Sequence, residues 1–143
     1  MSNLTRLIDK IKKEELTIND MLTLSLGKFD VKADRELSTD DVFRTIQTGA
    51  IIILLLKGKA KNGHYVSVVV DDKHNRISLY DPYGLHLDVL SDLSGTELTN
   101  FLFELQQALP SYKLEMNLVR VQKLNDTVAT CGRYAVLRCF CKK

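Results

Sequence analysis

Tryptophan is absent from the 143 residues, proline occurs twice and cysteine three times. With only 7 glycines besides, no collagen-like repeat is possible, and 45% apolar residues exclude a disordered chain. Long hydrophobic runs are missing too. The longest, Ala50 to Leu56, is far too short to span a bilayer, so no membrane association is expected. The N-terminal stretch MSNLTRLIDKIKKEE is charged throughout and lacks the apolar centre of a signal peptide, so secretion is not expected. Neither sign of charge dominates: 20 Lys+Arg against 18 Asp+Glu leave +2, no global field for nucleic acid. What remains has the size and composition of one soluble domain.

The cysteines are odd in number and all lie at the end of the chain, at Cys131, Cys139 and Cys141. No second Cys/His pair stands at zinc-finger distance, so neither a structural metal nor a disulfide framework is expected. A reduced thiol together with a histidine elsewhere in the chain is a candidate nucleophile pair, although many such cysteines are small buried hydrophobes.

Leu4, Leu7, Ile8 and Ile11 follow helical spacing, which predicts an amphipathic helix over 3–15. A short helix over 19–26 closed by Gly27 follows, and then a polar loop over 28–37. Ser38 ahead of Thr39, Asp40 and Asp41 marks a helix start that Gly49 ends. Ala50 to Leu56 is apolar on both faces, as a central covered strand requires. Strands over 64–70 and 76–80 flank a polar turn and form a hairpin. Ser94 with Glu97 predicts a capping box for a helix running to Pro110. Alternation at Leu114, Met116 and Leu118 gives a further strand over 112–121, and a last helix runs from about Cys131 to Phe140. The whole reads as one α+β domain, residues 1–143, with a helical N-terminal portion at 1–37 and a core at 38–143.

Antiparallel pairing about the hairpin turn sets residue 64 opposite 81 to 83, so His64 and Asp81 become neighbours at one end of the sheet. A carboxylate beside an imidazole fixes its tautomer and supports a general base. A surface His near a turn Asp would look the same. Cys131 opens an apolar helical pattern, where the positive end of the helix dipole favours the thiolate, and Gly132 after it permits close approach. Cys139 and Cys141 stand at the far end, where the dipole opposes ionisation. Acyl transfer also needs donors for an oxyanion. The Gln122 amide suits that role, as does Asn125 on the same loop, and the backbone N–H of the nucleophile is a second donor.

Together, GHYVSVVVDD (63–72), LYDPYG (79–84), VQ (121–122) and TCGRYAVLR (130–138) resemble the adenovirus-type and SUMO-protease-like cysteine peptidases. The chain order His, Asp, Cys is that of the clan, and the match covers roughly residues 46–141. The ending Thr-Cys-Gly-Arg-Tyr is most similar to small proteases of large DNA viruses and virophages. Tyr65 stands where the clan usually has Trp, and the interval from Gln122 to Cys131 is longer than in its best-known members.

The resemblance implies a papain-like cysteine protease fold of the adenain type, with a mixed central sheet flanked by helices. It implies Cys131 as nucleophile, His64 as general base and then acid, Asp81 as orienter, and Gln122 as oxyanion donor. It further implies a viral endopeptidase that cleaves capsid or other virion precursor proteins after small residues such as Gly-Gly, without a cofactor, in the virion and the host-cell cytoplasm. Removal of SUMO or ubiquitin-like modifiers, or a silent groove that binds peptides, are the alternatives. A monomer is expected, with at most weak DNA association through Lys10, Lys12, Lys13, Lys57, Lys59, Lys61 and the Lys142–Lys143 tail.

Overall fold

The computed structural model describes residues 17–55, 64–81, 96–116 and 138–139. They form a mixed α+β fold in which one five-stranded sheet is flanked by helices. The first helix, α1 (Ile18–Ser25), starts where Thr17 and Asp20 exchange bonds. The Thr17 N–H donates to Asp20 Oδ2 at 2.9 Å, and the Asp20 N–H donates to Thr17 Oγ1 at 3.2 Å. It ends one residue before the predicted glycine stop, because Leu26 itself takes a left-handed φ of 55°.

The expected loop over 28–37 is corrected by the structure. It contains strand β1 (Asp30–Ala33) and a 3-10 turn (Asp34–Glu36). Val31 and Ala33 are buried while Asp30 and Lys32 are only half-buried, a period-two pattern in four residues that is too short to stand out among polar neighbours. The sheet therefore takes its first strand from the stretch before residue 38.

Helix α2 (Thr39–Thr48) begins at Ser38 as expected, but the carboxylate does most of the capping. Asp41 Oδ2 accepts from the Ser38 N–H at 2.9 Å and from the Ser38 hydroxyl at 3.2 Å. Gly49, at φ 86°, closes the helix, and its N–H donates to the Thr45 carbonyl at 2.8 Å. Strand β2 (Ala50–Leu55) follows at once, then β3 (His64–Asp71) and β4 (Arg76–Tyr80). Helix α3 (Glu97–Ala108) has Thr96 as its N-cap, so Glu97 is its first residue and not its third. The Ser94–Glu97 box is thus corrected: the helix starts too late for Ser94 to cap it. Strand β5 (Lys113–Met116) completes the sheet.

The strands lie in the order β1-β2-β3-β4-β5. The β1–β2 and β4–β5 pairs are parallel, and β3 is antiparallel to both its neighbours. Each parallel pair is joined through a helix, α2 or α3. Two right-handed crossovers moving in the same direction across a sheet place their helices on the same face. One core cluster does unite α2 (Val42) and α3 (Leu98, Phe101, Leu102, Leu105) with Ile51, Ile53, Leu55, Val66, Val68, Val70, Ile77 and Leu79. The alternate residues Ala50, Ile52, Tyr65 and Val69 pack on the other face with Met21 of α1 and with Cys139. Cover on both sides is why β2 and β3 are apolar almost throughout. Each large aliphatic side chain buried this way contributes about 1.5–3 kcal/mol.

Candidate active site

The β3–β4 ladder fixes which residues meet at its open end. Asp71 pairs with Arg76, Val69 with Ser78 and Ser67 with Tyr80. Continued by one step, this register sets Asp81 opposite Val66, on the same face as His64 two residues away. His64 Nε2 and Asp81 Oδ1 form a hydrogen bond. An ionised carboxylate only accepts, so Nε2 carries the hydrogen and donates it, and Nδ1 is the nitrogen with basic character.

Burial distinguishes this pair from ordinary surface chemistry. The His64 side chain is 5% exposed and that of Asp81 is 0%. Two polar groups withdrawn from water this far must satisfy each other, because either one left alone would carry its full desolvation penalty. The pair is held from behind by the Val66, Val68 and Leu79 core and stands where β3 begins and β4 has just ended. A rigid sheet end that holds an imidazole in one tautomer suits a proton acceptor that must not reorient during reaction.

Of the four expected catalytic residues, the structure brings His64 and Asp81 together. Gln122 and Cys131 lie outside the described residues, as do Asn125, Cys141 and the lysines considered for DNA contact. Cys139 is described and buried, packed among Met21, Phe29, Tyr65 and Val69 as a small apolar group. Tyr65, the aromatic residue that follows His64, is 2% exposed and belongs to the same cluster. Its place is therefore in the core on the face opposite to α2 and α3.

Sequence reasoning missed a second His–carboxylate pair at the other end of the hairpin. His74 Nδ1 lies 2.8 Å from Asp71 Oδ2, with a half-exposed ring. The spacing of three residues was visible, but no sequence signal tied the pair to the rest of the sheet.

Among the described residues, no group of three His, Cys, Asp or Glu side chains could hold a metal ion. No helix among them is long and apolar enough to cross a membrane. No protein-family model matches this chain, and none of the curated proteins matches it.

Proposed function

We propose that this chain is a cysteine endopeptidase of the adenain/SUMO-protease type with a papain-like arrangement of sheet and helices. Cys131 is the nucleophile, His64 the general base and Asp81 its orienter, and Gln122 donates to the oxyanion together with the Cys131 N–H. The observation that carries this reading is the His64–Asp81 pair, buried and hydrogen-bonded at the end of the sheet. The motif support is the order His, Asp, Cys-Gly along the chain. In the reaction, Nδ1 of His64 takes the thiol proton and the thiolate attacks the scissile carbonyl. The imidazolium then protonates the leaving amine. Water, activated by the same ring, hydrolyses the thioester and regenerates the thiol.

One constraint follows from the sheet. By strand alternation His64 projects to the α2/α3 face, whereas Cys139 packs on the opposite one. The reading requires Cys131 to approach the ring over the end of the sheet at which β3 begins. The substrate class proposed is a viral capsid or virion precursor cut after a small residue such as Gly-Gly, with the enzyme acting in the virion and the host-cell cytoplasm.

The test uses the full chain and a fluorogenic peptide with Gly-Gly before the leaving group, together with a co-expressed capsid precursor. Cleavage of both by wild type and loss of both in Cys131→Ala is the expected result. Equal processing by the two proteins overturns the reading. Rapid labelling of Cys131 by a ubiquitin-like probe with a C-terminal electrophile, without cleavage of the peptide or the precursor, makes the chain a deconjugating enzyme instead.

A further inference from the structure

A hollow of about 240 Å³ lies between the start of α2 and the first half of α3. Leu37 and Phe101 line it and also belong to the core that fills this face of the sheet. Thr39, Glu97, Asn100 and Glu104 supply its polar walls. The last three recur at steps of three and four residues, so they stand in one row along α3. On the other wall Phe43 follows Thr39 by one turn of α2 and is 57% exposed, whereas Val42 beside it is buried.

Charge around the hollow is of one sign. Helix α2 carries Asp40 and Asp41 in its first turn and α3 carries Glu97, with Glu104 two turns further on. First-turn acids offset the helix dipoles, but each dipole amounts to only about half a positive charge at its N-terminus. Three carboxylates exceed two such halves, and Glu104 lies beyond their reach. Bases do not make up the difference. Helix α3 has none, Arg44 of α2 is drawn to Asp30 at 2.6 Å, and Arg35 is matched by its neighbour Glu36. Negative charge is thus gathered here in a chain whose net charge is +2.

Strand β1 ends with Ala33 beside Leu54, and Leu55 pairs with His64, so α2 sets out from the sheet end at which β3 begins. By strand alternation His64 projects to the face that α2 and α3 cover. The hollow therefore shares both its face and its end of the sheet with the His64–Asp81 pair.

We propose that this hollow is a docking site for a basic segment of a partner polypeptide. The stem of one lysine or arginine packs toward Leu37 and Phe101, and its cationic head meets Glu97 and Glu104. The exposed ring of Phe43 stacks on a second cation at the rim. Under the function proposed above the partner is the substrate; the docking itself does not rest on that function.

The experiment follows the fluorescence anisotropy of a labelled peptide, Ala-Lys-Leu-Arg-Lys-Ala, mixed with the full chain. Its control is the same peptide with glutamate in place of the three bases. At about 50 mM salt the basic peptide is expected to bind with a Kd of about 100 μM or tighter, and the acidic one not to bind. Glu104→Lys should weaken binding by about tenfold and Phe43→Ala by about threefold. Glu115→Lys makes the same charge change on the opposite face of the sheet and should shift binding by less than about twofold. Both glutamates are exposed, so neither substitution opens the core. Failure of wild type to bind overturns the proposal. Equal losses in the two glutamate variants also overturn it, since they mean attraction by the whole chain. An unchanged Kd in Phe43→Ala removes the ring from the site. If wild type gains mass with concentration and Glu104→Lys does not, the occupant is a second copy and the partner polypeptide is refuted. Binding needs no catalysis, so a wild type that binds selectively but cleaves nothing refutes the peptidase and leaves the docking standing. One that cleaves without binding does the reverse.

Discussion

The β3–β4 hairpin carries a histidine–carboxylate pair at each end, and the two are chemically alike but placed differently. His64–Asp81 has side chains 5% and 0% exposed, while His74–Asp71 has 50% and 9%. At the turn, Asp71 shares its charge among several donors that water also reaches, so each bond is replaceable and screened. At the open end the ring and the carboxylate meet inside the fold. Residue type alone would rank the two pairs equally. Burial separates them, and it makes the first a candidate for chemistry and the second a fastening.

Exchanging the two histidines in turn is the strongest way to break that comparison. His64→Ala is expected to lower kcat/KM for the Gly-Gly peptide by about 10³-fold, the scale of a lost general base. His74→Ala is expected to stay within about twofold, because its ring lies at the far end of the sheet. Equal losses in steady-state assays would mean that the buried pair holds no special place.

The carboxylates give the next largest contrast, in stability. Asp81→Ala leaves a buried imidazole without its acceptor and is expected to cost about 3 kcal/mol. Asp81→Asn keeps an acceptor oxygen and should recover part of that loss while remaining poorly active, since an amide no longer supports the imidazolium. Asp71→Ala, at the solvent-screened end, is expected to destabilise less than Asp81→Ala. Urea unfolding of the three variants measures this, and a larger effect at Asp71 would reverse the ranking.

The two ends also differ in how readily the sequence revealed them. Hairpin register is local, so strand alternation about a polar turn sufficed to bring His64 beside Asp81. The Ser38 start and Gly49 stop of α2 were legible for the same reason, since a cap is decided within four residues. Strand β1 was not legible, because four residues become a strand through pairing with β2, each partner twenty-one positions on. The turn network escaped for a like reason: Tyr112 and Glu115 reach Asp72 and Arg76 only after α3 has carried the chain across the sheet. The start of α3 was misread because Ser94 and Glu97 have capping-box spacing, while the helix uses Thr96. The assignment of Gln122 and Cys131 rests on motif alone.

A smaller effect sharpens the picture of the turn. The bond from Tyr112 to Asp72, followed by burial and the nearby negative charge, raises the phenol above its ordinary value of 10.0. In an alkaline titration of tyrosinate absorbance, Asp72→Asn is expected to move one of the five tyrosines to lower pH. An unchanged curve would show that this bond is absent in solution.

The smallest expected effect concerns acid. The bond from His74 holds the Asp71 carboxyl below its ordinary 3.8, aided by the bonds from Arg76 and the His74 backbone and opposed by partial burial. Around it stand His74, Arg76 and, one step further, Glu115 and the Asp72–Tyr112 pair. A carboxyl lowered in the folded state binds its proton more weakly there than in the unfolded chain. It therefore contributes stability that is complete above its unfolded value and is lost as pH falls through the folded one. The advantage of wild type over Asp71→Asn in urea midpoint should accordingly stay level from neutral pH down to about 5 and shrink only below the ordinary carboxylate value. If the advantage instead changes between about pH 5 and 7, a group other than the Asp71 carboxyl controls the turn. The exposed end of the hairpin would then be its pH-sensitive end, and the division between a chemical pair and a fastening would have to be redrawn.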